Sequence, residues 1–122
     1  MNYYICEHCG NIVEKIHDSG VPVICCGQPM TLLVPGTVEA AHEKHIPVVT
    51  REGSRVHVEV GSVAHPMVPE HFIQWIDLET KNGVQRHFLK AGEEPKADFV
   101  LADGDDVVAC YAYCNLHGLW KA

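Results

Sequence analysis

In the middle of the chain, apolar and polar residues alternate with a period of two. Val56, Val58 and Val60 are separated by His57 and Glu59, the pattern of a strand with one buried face. Val48-Val49-Thr50-Arg51 precedes it, and Glu52-Gly53-Ser54 supplies a turn between them. Residues 71–78 predict another strand, with Phe72, Ile76 and Leu78 on one parity and Ile73 and Trp75 on the other. Asn82-Gly83 predicts a hairpin turn, because both residues tolerate positive φ, and residues 84–89 return from it. A short strand at 97–102 ends at Asp103-Gly104-Asp105, and 107–114 is the last strand. Short strands, frequent turns and no amphipathic helix point to an antiparallel sandwich or barrel.

The alternation begins only after Val34-Pro35-Gly36-Thr37, which predicts a boundary between a module at 1–35 and a domain at 36–122. The first segment is too short to bury much core, and pieces of that size fold around a metal or disulfides. It holds Cys6, Cys9, Cys25 and Cys26, four of the six cysteines in the chain.

Composition narrows the functional classes. With 122 residues and 47% apolar content, a packed core is within reach. A net charge of −7 argues against nucleic acid, whose binding rests on Lys and Arg neutralising phosphates. No apolar run approaches the roughly 18 residues of a membrane span. Met1-Asn2-Tyr3-Tyr4-Ile5-Cys6 lacks the basic-then-apolar order of a signal peptide, so a cytoplasmic location is the expectation. In such a setting clustered cysteine reads as metal binding before disulfides.

Cys6-Glu7-His8-Cys9-Gly10 is a C-x-x-C knuckle that brings two thiolates to one metal, and its glycine permits the tight turn. The adjacent pair Cys25-Cys26, followed by Gly27, completes a set of four thiolates suited to tetrahedral iron or zinc. Neighbouring cysteines splay less freely than a C-x-x-C pair, so a distorted tetrahedron is expected. The spacing does not separate iron from zinc. His8 and His17 lie near this set but are read as surface residues, as are His42, His57 and His87. Trp75 and Trp120 are read as packing residues, and Cys110 as a small buried apolar one.

Three further motifs are specific. Glu43-Lys44-His45-Ile46-Pro47 resembles the E-K-H-x-P motif of superoxide reductases. His65-Pro66-Met67 with Glu70-His71-Phe72-Ile73-Gln74-Trp75-Ile76 resembles their H-P-M and E-H-x-I-x-W-I segments. Cys114-Asn115-Leu116-His117-Gly118-Leu119-Trp120 resembles their C-N-x-H-G-x-W ending. The four N-terminal cysteines resemble the desulforedoxin-like module of the two-iron branch, the desulfoferrodoxins. The resemblance runs from Cys6 to Trp120.

It implies a mainly β fold, in which a metal-stapled desulforedoxin-like module precedes an immunoglobulin-like antiparallel β-sandwich. It implies two non-haem irons per chain. One is held by Cys6, Cys9, Cys25 and Cys26. The other is held by His45, His65, His71 and His117 in a plane, with Cys114 on the axis and the opposite position open. The implied activity is reduction of superoxide to hydrogen peroxide without release of dioxygen. Lys44 would help draw in the anion and position a proton-donating water, and Glu43 would occupy the open position in the ferric resting state. Ferrous iron with one thiolate and neutral imidazoles carries +1, so an acidic protein still offers a local attractor for an anion. The usual electron donor is rubredoxin, and desulforedoxin-like modules commonly pair into a homodimer. Two other readings start from the same residues: a non-catalytic carrier using only the four-cysteine iron, or a zinc-stapled binding module. Both leave the histidine motifs without a role. A two-histidine, one-carboxylate oxygenase is disfavoured by the Cys114 motif.

Overall fold

The computed structural model describes residues 1–122. The chain divides into two compact units, Met1–Val34 and Pro35–Ala122.

The larger unit is an antiparallel β-sandwich. It begins with a single helical turn, α1 (His42–His45), followed by β6 (Pro47–Glu52), β7 (Arg55–Val60), β8 (Ile73–Thr80), β9 (Gly83–Phe88), β10 (Lys96–Val100), β11 (Val107–Cys114) and β12 (Gly118–Lys121); β1 to β5 precede it in the smaller unit. One sheet has the order β10-β7-β6 and the other β12-β11-β8-β9. This three-on-four arrangement, with chain crossings from β7 to β8, from β9 to β10 and from β10 to β11, is immunoglobulin-like. The facing surfaces form one core from Val56, Val58 and Val60 of β7, Ile73, Ile76 and Leu78 of β8, Ala97 and Phe99 of β10, and Cys110, Ala112 and Cys114 of β11. In β7 and β10 the alternation seen in the sequence is the alternation between core and solvent, whereas β8 and β11 are buried along most of both faces. Cys110 is one of these core residues, 1% exposed, and burial pushes its thiol up to about 12.

Local chemistry explains most of the turns. Glu52 pairs with Arg55, and Gly53 supplies the positive φ of 61° that the two-residue turn needs. The hairpin between β8 and β9 turns one residue earlier than the sequence predicts. Thr80 pairs with Gly83, so Lys81-Asn82 form the turn and Gly83 opens β9. Neither Asn82 nor Gly83 adopts positive φ. Bonds from Lys81 N–H to the Asp106 carbonyl (2.9 Å) and from Asn82 N–H to Asp105 Oδ1 (3.1 Å) hold the turn from the 105–106 loop, a constraint that local propensity does not contain.

The parity predicted for β8 also needs correction. Ile73, not Phe72, shares the core face with Ile76 and Leu78. Tyr113 pairs with Trp75 but Cys114 pairs with Ile73, so Gln74 is the extra residue of a β-bulge. Beyond the bulge the outer face carries Trp75, stacked on Tyr113 at 5.5 Å, and Asp77, fully buried and bonded to Arg86 Nε (2.7 Å) and Nη2 (2.6 Å).

The smaller unit has little core, chiefly Tyr3, Cys6 and Met30. Its strands are β1 (Tyr3–Ile5), β2 (Ile12–Glu14), β3 (Ile24–Cys25), β4 (Gln28–Pro29) and β5 (Thr31–Leu32). β1 lies between β2 and β5, and β3 pairs with β4. Sheets this short are not independently stable, which leaves the cysteine cluster to hold the unit together.

Candidate metal centres

In the smaller unit, Cys6 and Cys9 sit on the loop between β1 and β2. Gly10 N–H donates to the Cys6 carbonyl (2.8 Å), Cys6 N–H donates to the Asn11 carbonyl (2.8 Å), and Gly10 takes a φ of 82°. The adjacent cysteines lie at the start of a hairpin turn, Cys25 on its first strand and Cys26 within the turn. Cys25 pairs with Gln28, and Cys26 and Gly27 between them have φ of 51° and 75°. Two consecutive positive φ values are the mark of a type I′ turn. That turn lets neighbouring residues 25 and 26 aim at one point, which the sequence alone did not explain. The four donor sulfurs lie within 4.8 Å of one another, and Cys9 Sγ is 3.7 Å from Cys25 Sγ. Sulfurs at about 2.3 Å from a tetrahedral metal stand about 3.8 Å apart, so a metal of that size fits. Amide N–H groups, Cys9 first, hold the Cys6 thiol down to about 6, while the neighbouring sulfurs push Cys26 up to about 12. A metal binds thiolates, so its binding here releases the protons that the thiols carry.

The second cluster lies at one end of the sandwich. His45 ends α1, His65 and His71 lie on the segment from β7 to β8, Cys114 ends β11, and His117 lies in the turn before β12. The ring centroids of His45–His65, His65–His71, His71–His117 and His117–His45 are 4.6, 4.6, 5.0 and 4.9 Å apart, with adjacent rings crossing at 80° to 82°. The His45–His71 diagonal is 6.3 Å. Four imidazoles therefore form a near-square. Donor atoms of His45, His65, His71 and Cys114 lie within 4.8 Å of one another. His117 joins through Nδ1, 3.1 Å from His45 Nε2 and 3.9 Å from Cys114 Sγ.

The outer nitrogens of two rings are fixed. His45 Nδ1–H donates to the Ala41 carbonyl (2.7 Å) and His65 Nδ1–H to the Pro66 carbonyl (2.6 Å), which leaves each Nε2 as a lone pair facing inward. Those two Nε2 atoms are 3.1 Å apart, a contact of two acceptors that a shared cation would relieve. Right-angled ligands at about 2.1 Å from a metal are separated by about 3.0 Å. His71 Nε2 is buried without any hydrogen-bond partner. A buried acceptor in that condition is costly unless something binds it. Burial, first among the causes, keeps His45 and His71 below the usual histidine range and brings His65 down to about 4. All three are therefore neutral donors at neutral pH. Burial raises the Cys114 thiol, and the N–H groups of Leu116 and His117 oppose that shift and favour thiolate.

Trp120, 1% exposed, packs against His45 with centroids 4.8 Å apart and donates its Nε1–H to the His117 carbonyl (3.1 Å). Glu43 and Lys44 are exposed on α1 beside His45. Their charges are felt at the cluster: Lys44 helps depress His71, and Glu43 opposes the depression of His45. His8, His17, His42 and His87 are exposed and outside both clusters, as read from the sequence. His57 is half-buried and ion-paired with Asp98 and Glu59. The backbone carbonyls of Ala41 and Pro66 carry no signal in the sequence.

Residues 37–122 match the sequence family described as desulfoferrodoxin, and residues 1–33 match the family described as the desulfoferrodoxin N-terminal domain. The chain belongs to the desulfoferrodoxin family. It is 49% identical over 122 residues to a desulfoferrodoxin homolog of Archaeoglobus fulgidus, covering 100% of this chain and 96% of that one. It is 50% identical over 119 residues to the desulfoferrodoxin of Nitratidesulfovibrio vulgaris, covering 98% and 93%. Among solved structures it resembles the superoxide reductase of Treponema pallidum, with a TM-score of 0.83 and 40% identity over 99% of this chain and 97% of that one. As a desulfoferrodoxin, the chain has both elements of a two-iron protein, a four-cysteine cluster and a histidine–cysteine cluster.

Proposed function

We propose that this desulfoferrodoxin is a superoxide reductase with two non-haem irons per chain. The observation that carries the reading is the near-square of inward-facing imidazoles with Cys114 Sγ beside it. His45, His65, His71, His117 and Cys114 are the residues that hold the catalytic iron, and Cys6, Cys9, Cys25 and Cys26 hold the other. When bound, iron at the histidine–cysteine cluster supplies one electron, which with two protons converts superoxide to hydrogen peroxide without forming dioxygen.

The side chains divide the remaining work. Neutral imidazoles add no negative charge, so the cluster stays attractive to an anion despite the net charge of −7. Lys44 adds a positive charge at the rim, where it steers superoxide inward and orients a water that delivers protons. Glu43 closes the open side in the oxidised resting state. Trp120 excludes water beneath His45 and holds the turn of His117. An external rubredoxin-like donor returns the electron after each turnover.

Two readings about setting follow from composition and likeness. The protein works in the cytoplasm, where free thiols persist and all six cysteines are unbridged. It works as a homodimer, supported by the exposed Ile16 (95%), Val21 (67%) and Ile24 (59%) of the smaller unit, apolar side chains suited to a second copy. A carrier or a zinc-stapled module gives no reason for the second cluster.

The test is a pulse of superoxide delivered to the reduced, iron-loaded protein, with peroxide and dioxygen both measured. One peroxide per superoxide with no dioxygen supports the reductase. Dioxygen at half the superoxide consumed indicates a dismutase, and no consumption returns the protein to the binding readings. Iron and zinc analysis with visible spectra of both redox states tests the two-iron assignment. Sedimentation analysis tests the dimer.

A further inference from the structure

The ligand rings are not aimed in the same way. His45 and His65 are each locked by an outer-nitrogen bond to a backbone carbonyl. His71 has no such bond; its ring contacts are the neighbouring imidazoles, and its inward nitrogen has no partner. The direction of that ring is therefore set by the backbone that carries it. Residue 71 lies outside the sheet, since β8 begins at Ile73, after which the ladder is broken by the bulge at Gln74. Within its own loop, His71 and Val68 exchange both backbone bonds at 3.0 Å, a bridge belonging to a loop rather than to the sandwich.

What ties this loop to the other ligands is Asn115. Its Oδ1 accepts from Phe72 N–H (2.9 Å) and its Nδ2–H donates to the Glu70 carbonyl (3.1 Å). Its own backbone N–H donates to the Phe72 carbonyl (3.2 Å). Donor and acceptor of one carboxamide thus hold the residues on either side of His71. Asn115 itself stands between Cys114 and the His117 turn. The side chain adds to that last backbone bond and extends the β8–β11 pairing as far as Glu70.

We propose that Asn115 is the positioning residue for His71: its carboxamide fixes the His71 ring relative to Cys114 and His117. The inference rests on the reading of His71 as an iron ligand. An amide is the side chain the geometry requires, because only a group with both an acceptor and a donor satisfies both partners. Aspartate would keep the acceptor for Phe72 N–H and set a charged oxygen against the Glu70 carbonyl. Alanine would release both side-chain bonds and leave only the backbone bond from residue 115 to the Phe72 carbonyl.

The experiment compares full-length, iron-loaded wild type, Asn115→Ala and Asn115→Asp by chelator competition for the histidine-bound iron and by electron paramagnetic resonance of its ferric form. Losing a contact that orients a metal ligand weakens metal affinity about 10- to 100-fold. That loss is expected for Asn115→Ala together with an altered, broadened ferric signal, and a smaller loss for Asn115→Asp. Val56→Ala, a core change at a residue that is 0% exposed, controls for general destabilisation. It should lower the melting temperature and leave affinity and signal unchanged. Wild-type affinity and signal in both Asn115 variants would overturn the proposal, as would an equal affinity loss in Val56→Ala. If Asn115→Ala does not fold, Asn115→Asp carries the same comparison. Failure of the wild type to bind iron at this cluster would instead overturn the ligand assignment itself.

Discussion

Replacing Trp120 by phenylalanine separates its two contributions to the site. Trp120 is 1% exposed, its ring packs on His45 at 4.8 Å, and its Nε1–H donates to the His117 carbonyl at 3.1 Å. Phenylalanine keeps one ring against His45 and removes the N–H. Loss of the bond costs about 1 kcal/mol net. The second ring leaves a gap that collapses only in part, adding about 1–2 kcal/mol, less than the about 3–5 kcal/mol of a full truncation to alanine. The expected total of about 2–3 kcal/mol corresponds to a melting shift of about 10 °C or more in a unit of this size. The chain has two tryptophans, Trp75 and Trp120, both in the larger unit, so the fluorescence of Trp75 follows that unit alone in Trp120→Phe. Measured on metal-free protein, the shift reports packing. Measured on iron-loaded protein with chelator competition, it shows whether freeing the His117 turn also weakens the metal. A melting shift under about 2 °C would mean that the indole N–H and its second ring carry no such weight.

Other expectations follow from single contacts. A Cβ on Gly61 would sit 2.6 Å from the Glu43 carbonyl and 2.9 Å from that of Ile46, so Gly61→Ala should push α1 away from the β7–β8 loop. We expect a loss of about 1–3 kcal/mol in thermal unfolding and weaker iron binding, and an unaltered melting curve would contradict it. His57 is held above the ordinary histidine range by its bond to Asp98 and then Glu59. Its contribution to stability is full below about pH 6.5 and is lost as pH rises through the raised value. His57→Asn should flatten that part of the urea profile, and an NMR titration midpoint at the ordinary value would refute the pairing. Lys44→Ala should slow superoxide capture and reduce its salt dependence while iron stays bound; stopped-flow rates identical to wild type would remove the steering role. Glu43→Ala should leave capture largely intact and change the visible spectrum of the oxidised protein; an unchanged spectrum would remove Glu43 from the open side.

Of the strands of the larger unit, β7 and β10 were legible because their apolar positions repeat every two residues, and β11 because it is a short unbroken apolar run. The misplaced hairpin turn had a different cause. Asn82-Gly83 is a good local signal, but the loop at Asp105-Asp106 holds Lys81-Asn82 by hydrogen bonds from elsewhere in the chain. The parity of β8 was misread for a similar reason, since a bulge at Gln74 arises from pairing with β11. The helical turn α1 was not expected, since four residues are too few to show a helical period. β12 was seen only as part of a motif, and the smaller unit's strands, two or three residues each, carry no period at all.

Of the chemistry, residue type and order along the chain determined the most. Four cysteines in an otherwise coreless segment, and histidines within three separate motifs, specify soft and borderline donors for two metals whatever the fold does with them. Only the tertiary structure decided how those donors meet. The I′ turn at Cys26-Gly27 lets vicinal thiols share one centre. The carbonyls of Ala41 and Pro66 fix two imidazoles, and Asn115 ties the loop of His71 to the strand end at Cys114. A sequence records which atoms can bind a metal. The directions of their lone pairs depend on contacts between residues as far apart as 72 positions, as with His45 and His117, and those exist only once the sheets have paired.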